Sequence, residues 1–195
     1  MNGAKTHLAI TAVHEAGHAL GALKVGRFVA NVAISHQSPG MGVTYTHKSA
    51  KNPFDLSTNP QYAWQHTLET TINDAFMTIS GPCAEAKFLG TPIRSLGCQS
   101  DYEHCIAIFG RLKTLAKFAS QYGDIECPEP IQLMNSTRSR ARGWVASPNN
   151  WRAINCIART MYEQGEIDAE ALQQAIGDSM VLGISPQLNL KESEG

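Results

Sequence analysis

The chain has 195 residues, enough to bury one sizeable core, and its 43% hydrophobic and 17% charged content argues against a disordered chain. Its 16 basic and 17 acidic residues leave a net charge of −1 without a basic run, which argues against nucleic acid or an anionic membrane surface as partner. No stretch approaches 18 apolar residues, no leader pattern opens the chain, and the five cysteines form no C-x-x-C; the expectation is a cytoplasmic protein with reduced thiols and no membrane span.

Residues 6–25 read as a helix, with Thr6 as its cap and Gly26 as its stop. Leu8, Ala9, Ala12, Val13, Ala16, Ala19, Leu20 and Leu23 recur at helical spacing. Inside this run stands His14-Glu15-Ala16-Gly17-His18, an H-E-x-x-H pattern. Residues four apart lie one above the other on a helix face, so two imidazoles there can point at one metal ion, each about 2.0–2.1 Å from it. The carboxylate after the first histidine then sits beside the ion's open position, where it can take a proton from water and pass it to a leaving amine. An apolar helix that buried these rings without a partner would leave their nitrogens unsatisfied, which is costly. Gly17 costs about 1 kcal/mol against alanine inside a helix, which points to close approach of another backbone or of substrate.

Two strand-like runs follow, Phe28–Ile34 and Gly42–His47, with Ser38-Pro39-Gly40 as the turn between them. Residues 48–60 read as a loop. Residues 61–89 read as a long helix with Trp64, Leu68, Ile72, Ala75, Phe76 and Ile79 at helical spacing; Gly81-Pro82 should kink or split it, and Gly90-Thr91-Pro92 ends it. A loop over 93–99 leads to a helix opened by Ser100-Asp101, with Ile106, Phe109, Leu112, Leu115, Ala116 and Ala119 as its stripe and Gly123-Asp124 as its stop. Residues 128–145 are weakly patterned but helical. Ser147-Pro148-Asn149-Asn150 starts the next helix, with Trp151, Ile154, Ile157, Ala158 and Met161 on one face; Gly165 ends it, and Asp168 caps a last one through Leu172 and Ile176. The tail beyond Pro186 is polar.

Two histidines leave a tetrahedral zinc in need of one more protein ligand plus water. The residues alone offer Asp101, Glu85, Glu69, His104, Cys98 and Cys105, and a glutamate on a second helix would mean Glu69 or Glu85. Ser100 or Asp101 also suits a simple helix cap.

His14-Glu15-Ala16-Gly17-His18-Ala19-Leu20 resembles the HEAGHAL signature of the peptidase domain of FtsH-type ATP-dependent zinc proteases. The Gly42-Val43-Thr44 strand, Gly81-Pro82-Cys83-Ala84-Glu85, Gly97-Cys98-Gln99-Ser100-Asp101 and Asn150-Trp151 through Gly165-Glu166-Ile167-Asp168 follow in the family's order, so the resemblance spans roughly residues 7–176. It implies a mainly α fold with a small β-sheet, a zincin-like metallopeptidase domain over residues 1–186, and a polar tail over 187–195. It implies one Zn²⁺ per chain held by His14, His18 and Asp101, Glu15 as the catalytic base, and Glu85 bracing a ligand histidine. An extended peptide or unfolded protein substrate is expected along Gly42, Val43, Thr44 and Tyr45, paired as an added strand.

The departures matter as well. Pro82 stands where the family has a basic residue, and Cys105-Ile106 replaces Ala-Thr. No G-x-x-x-x-G-K-[ST] loop occurs, so the chain carries no nucleotide-hydrolysing module in this sequence. The expected activity is zinc-dependent endopeptidase action without ATP, with a separate ATPase as a candidate partner and homo-oligomer formation as an open expectation. The alternative is a non-catalytic zinc-binding adaptor derived from a peptidase. The site chemistry also suits iron, cobalt or manganese.

Overall fold

The computed structural model describes residues 2–47, 59–93, 98–121 and 128–181. Among them, α1 (Asn2–Lys24), α2 (Pro60–Leu89), α3 (Gln99–Ala119), α4 (Pro130–Ala146), α5 (Pro148–Gln164) and α6 (Ala169–Val181) carry most of the chain. β1 (Phe28–Ile34), β2 (Gly42–His47) and β3 (Glu166–Asp168) form one small antiparallel sheet in the order β2-β1-β3. The fold is therefore mainly α with a small sheet, as the residue pattern predicts.

α1 is the central element and packs against α2, α5 and the sheet. Ala9, Ala12, Val13, Ala16, Ala19 and Ala22 are fully buried, and Thr11 and Glu15 are buried with them. Burial on nearly all sides, and not on one stripe, marks a helix sunk in the core. It begins four residues before the expected Thr6 cap, since nothing in Asn2-Gly3-Ala4-Lys5 stops a helix. Gly26, at φ +76°, follows its last turn.

The approach of α2 to α1 depends on small residues. A Cβ on Gly17 would lie 2.7 Å from the Ser80 carbonyl oxygen and 2.9 Å from the Gly81 Cα; one on Gly21 would lie 2.8 Å from Ser80 Oγ. Gly17 thus serves close backbone approach, one of the two uses expected of it. α2 starts at an Asn59 cap whose side chain accepts from the Tyr62 N–H at 3.0 Å. It ends at Gly90 in the left-handed region.

Of the kink or split expected at Gly81-Pro82, the split does not occur: one helix spans Pro60–Leu89, as the long-helix reading of 61–89 expects. A proline inside a helix removes a hydrogen bond and costs roughly 3 kcal/mol. Here Ser80, Gly81, Pro82, Cys83 and Ala84 are all buried, and that packing offsets the cost.

One further expectation is corrected, and one element is new. Ile106 is 56% exposed, and the buried stripe of α3 runs instead through Cys105, Phe109, Leu112, Ala116 and Ala119. β3 was not expected at all; its three residues pair with Asn31, Val32 and Ala33 of β1. α3 begins at Gln99, one residue before the expected Ser100-Asp101 opening, and neither side chain makes a cap bond at its start. Asp168 does cap α6, accepting from the Ala171 N–H at 2.8 Å. The expected loop over 48–60 lies outside the described residues up to residue 58, as do Gly97, the Gly123-Asp124 stop and the polar tail.

Candidate metal centre

His14 and His18 project from the middle of α1 toward α2 and the start of α3. His14 Nε2 lies 2.9 Å from His18 Nε2 and 3.1 Å from Asp101 Oδ2, and His18 Nε2 lies 3.7 Å from Asp101 Oδ1. The fold therefore brings two residues of one helix and a carboxylate 83 positions further on to one point. Two ligands each about 2.0–2.1 Å from a tetrahedral zinc are about 3.3–3.4 Å apart, and the three observed separations bracket that value.

The far side of each ring decides which protonation state meets there. His14 Nδ1 lies 2.8 Å from Glu85 Oε2, and His18 Nδ1 lies 3.1 Å from the Met77 carbonyl oxygen. Both partners accept, so both Nδ1 atoms carry the hydrogen and a neutral ring presents a bare lone pair at Nε2. With both rings neutral, two lone pairs and a carboxylate converge on one point. Such a set draws in a positive charge, a proton or a metal ion, and a zinc ion fits both its size and its donor chemistry.

The titration behaviour shows that attraction for positive charge as a proton held on His14. Burial pulls the His14 imidazole down, but its bonds to Asp101, Cys98 and Glu85 outweigh that and hold it well above the ordinary value of 6.5. His18 is lowered by burial and by its neighbour His14. Burial raises the carboxyls of Asp101 and Glu85, yet bonding to His14 overcomes it, and both fall below the ordinary carboxylate range. Asp101 also stands in the first turn of α3, where the helix dipole favours its ionised form.

Glycine makes the room. A Cβ on Gly81 would sit 2.4 Å from His18 Nε2, so any side chain there would occupy the space of the ring. A Cβ on Gly42 would lie 2.6 Å from Glu15 Cγ, which lets β2 ride directly over that side chain.

Glu15 is 7% exposed, and its Oε2 accepts a 2.7 Å hydrogen bond from Thr44 Oγ1. Glu15, His18, Asp101, Thr44, Thr46 and His104 share a cleft of about 240 Å³. β2 is an edge strand, with β1 on one side and no partner on the other among the described residues. Along it Thr44 and Thr46 face the cleft, while Val43 and Tyr45 are exposed.

The other candidate ligands are placed elsewhere. Glu69 is exposed on α2, eight residues and about 12 Å of helix rise from Met77. His104 lies at the cleft but is exposed. Cys105 is buried with its thiol near the Ala75 carbonyl, and burial pushes it up to about 12. Cys98 is nearer: its thiol donates to Glu85 Oε2 at 3.2 Å, and its sulfur, His14 and Asp101 offer donor atoms within 4.8 Å of one another. Sequence reasoning missed the Met77 carbonyl, because a main-chain acceptor leaves no residue signature. It also missed the role of Gly81, whose only signal is a glycine in mid-helix.

No protein-family model and no curated protein matches this chain.

Proposed function

We propose that the chain is a zinc-dependent endopeptidase of the FtsH-like, zincin-like kind, acting on peptides or unfolded segments. The observation that carries this reading is the convergence of His14 Nε2, His18 Nε2 and Asp101 on one point, with Glu15 in the cleft that His18 and Asp101 line. Zinc, when bound, supplies Lewis-acid activation of water and polarisation of a carbonyl.

The chain's own groups supply the rest. Glu15 accepts the proton of the attacking water and delivers it to the departing amine. Thr44, by donating to Oε2, fixes that carboxylate and leaves Oε1 to do the transfer. Glu85 and the Met77 carbonyl orient the two imidazoles so that Nε2 faces inward. The unpaired edge of β2 offers its main chain to an extended substrate, with Gly42, Val43, Thr44 and Tyr45 alongside. A cleft of about 240 Å³ is too small to enclose a drug-sized ligand but suits one bond of an extended chain lying across it.

No described helix is long and apolar enough to cross a membrane. Cytoplasmic location, delivery of substrates by a separate ATPase, and self-association belong to the same proposal.

The test is cleavage of a fluorogenic peptide by the zinc-loaded protein. Cleavage should stop with 1,10-phenanthroline and return with added zinc. Glu15→Gln should keep its zinc and lose about 10²–10⁴ in kcat. Cleavage that survives that substitution contradicts the assignment of the base, and full-rate cleavage without metal contradicts the reaction class.

A further inference from the structure

A second cleft of about 690 Å³ lies between the C-terminal part of α2 and α4, and it shares no lining residue with the metal site. Lys87, Arg138 and Arg142 line it, and no aspartate or glutamate among the described residues does. The sequence alone did not disclose this cluster, because one of its cations comes from α2 and two from a helix 50 residues further on. Arg138 and Arg142 are one turn apart, so both guanidinium groups belong to the same face of α4.

Two of these charges, Arg138 and Lys87, are held in place by neutral groups. Arg138 donates to Tyr102 Oη at 2.7 Å and to Asn135 Oδ1 at 3.2 Å. Lys87 Nζ donates to the Ala146 carbonyl at 3.0 Å and stands 4.8 Å from the centre of the Trp151 ring. None of the three forms an ion pair among the described residues, whereas Arg27 is paired with Asp74. Beside the cleft, the Ala86 and Lys87 carbonyls accept from the N–H groups of Thr91 and Gly90. Ala86, Ile93 and Val145 add apolar wall. The volume lies in the range of small-molecule sites.

We infer that this cleft binds a small organic anion, a carboxylate or phosphate monoester on a short apolar body. The head group would sit between Arg138, Arg142 and Lys87, because planar guanidinium groups bind such oxyanions with charge-assisted, often paired hydrogen bonds. The apolar body would cover Ala86, Ile93 and Val145.

The full-length zinc-loaded protein, titrated calorimetrically with hexyl phosphate, hexanoate, inorganic phosphate and hexyltrimethylammonium, tests this. Both hexyl anions should bind, the tighter of the two naming the head group; inorganic phosphate should bind more weakly, and the ammonium not at all. Arg138→Gln and Arg142→Gln should each weaken the anions about tenfold, with zinc content and circular dichroism unchanged. Arg142 is exposed, so its variant keeps the fold even if Arg138→Gln does not. Anion binding that is undiminished in Arg142→Gln places the anion elsewhere, for instance on the zinc, and overturns the inference. So does the absence of binding by either hexyl anion, equal binding by the ammonium, or inorganic phosphate binding as tightly as hexyl phosphate.

Discussion

α1 packs chiefly against two helices, and the two seams are built on opposite rules. Toward α2 the contact is made by Gly17, Gly21, Ser80, Gly81 and Ala84, residues chosen for what they leave empty. Toward α5 the core holds Ile154, Ile157 and Met161, each 0% exposed, which are residues of volume. The first seam keeps open the space two imidazoles need; the second contributes apolar burial. The second seam holds the helix that carries the site.

Substitutions that respect or violate these two rules separate the seams. Gly81→Ala should have the largest effect, because its Cβ would lie 2.4 Å from His18 Nε2 and displace a ligand. Zinc affinity, read by competition with a chromogenic chelator, should fall more than about a hundredfold, beyond what loss of a supporting group costs. Gly143→Ala is its control: nothing lies within 4 Å of that Cβ, and the helix should gain up to about 1 kcal/mol with zinc affinity unchanged. Equal tolerance of both would mean that the α1–α2 seam is not shaped for the histidines.

Ile157→Ala should cost about 2–5 kcal/mol of stability in urea unfolding, while the protein that remains folded binds zinc normally. Zinc lost in step with stability would show that the two seams are not separable. Glu85→Gln keeps the shape beside His14 Nδ1 but removes the charge, and should weaken zinc about 10–100-fold with little effect on unfolding.

Much of this arrangement could be read from the chain. The apolar period around His14 and His18, the β-formers of β1 and β2, and the proline and glycine limits of α2 and α5 all act locally, and local rules found them. The residues offered for the site include the cluster His14, His18, Asp101 and Glu85 that the fold assembles. What could not be read depends on tertiary context. Pro82 should break a helix in isolation but stays helical where Ser80 to Ala84 pack on α1. Cys105 takes the buried position that hydrophobicity assigns to Ile106, because α3 faces α2 and α4 through that side. β3 is too short to show a period, and exists because β1 offers it an edge. Thr44, expected to contact substrate, gives its hydroxyl to Glu15, a pairing across 29 residues that no periodicity reveals.

The central claim is that His14, His18 and Asp101 hold one zinc ion. X-ray absorption at the zinc edge of the purified chain, with metal content measured on the same sample, examines it most directly. The account predicts one zinc per chain, two imidazole nitrogens and oxygen donors at about 2.0–2.2 Å, and loss of the ion in His14→Ala and Asp101→Ala. A chain that takes up no zinc, or one whose zinc is unaffected by either substitution, would contradict it.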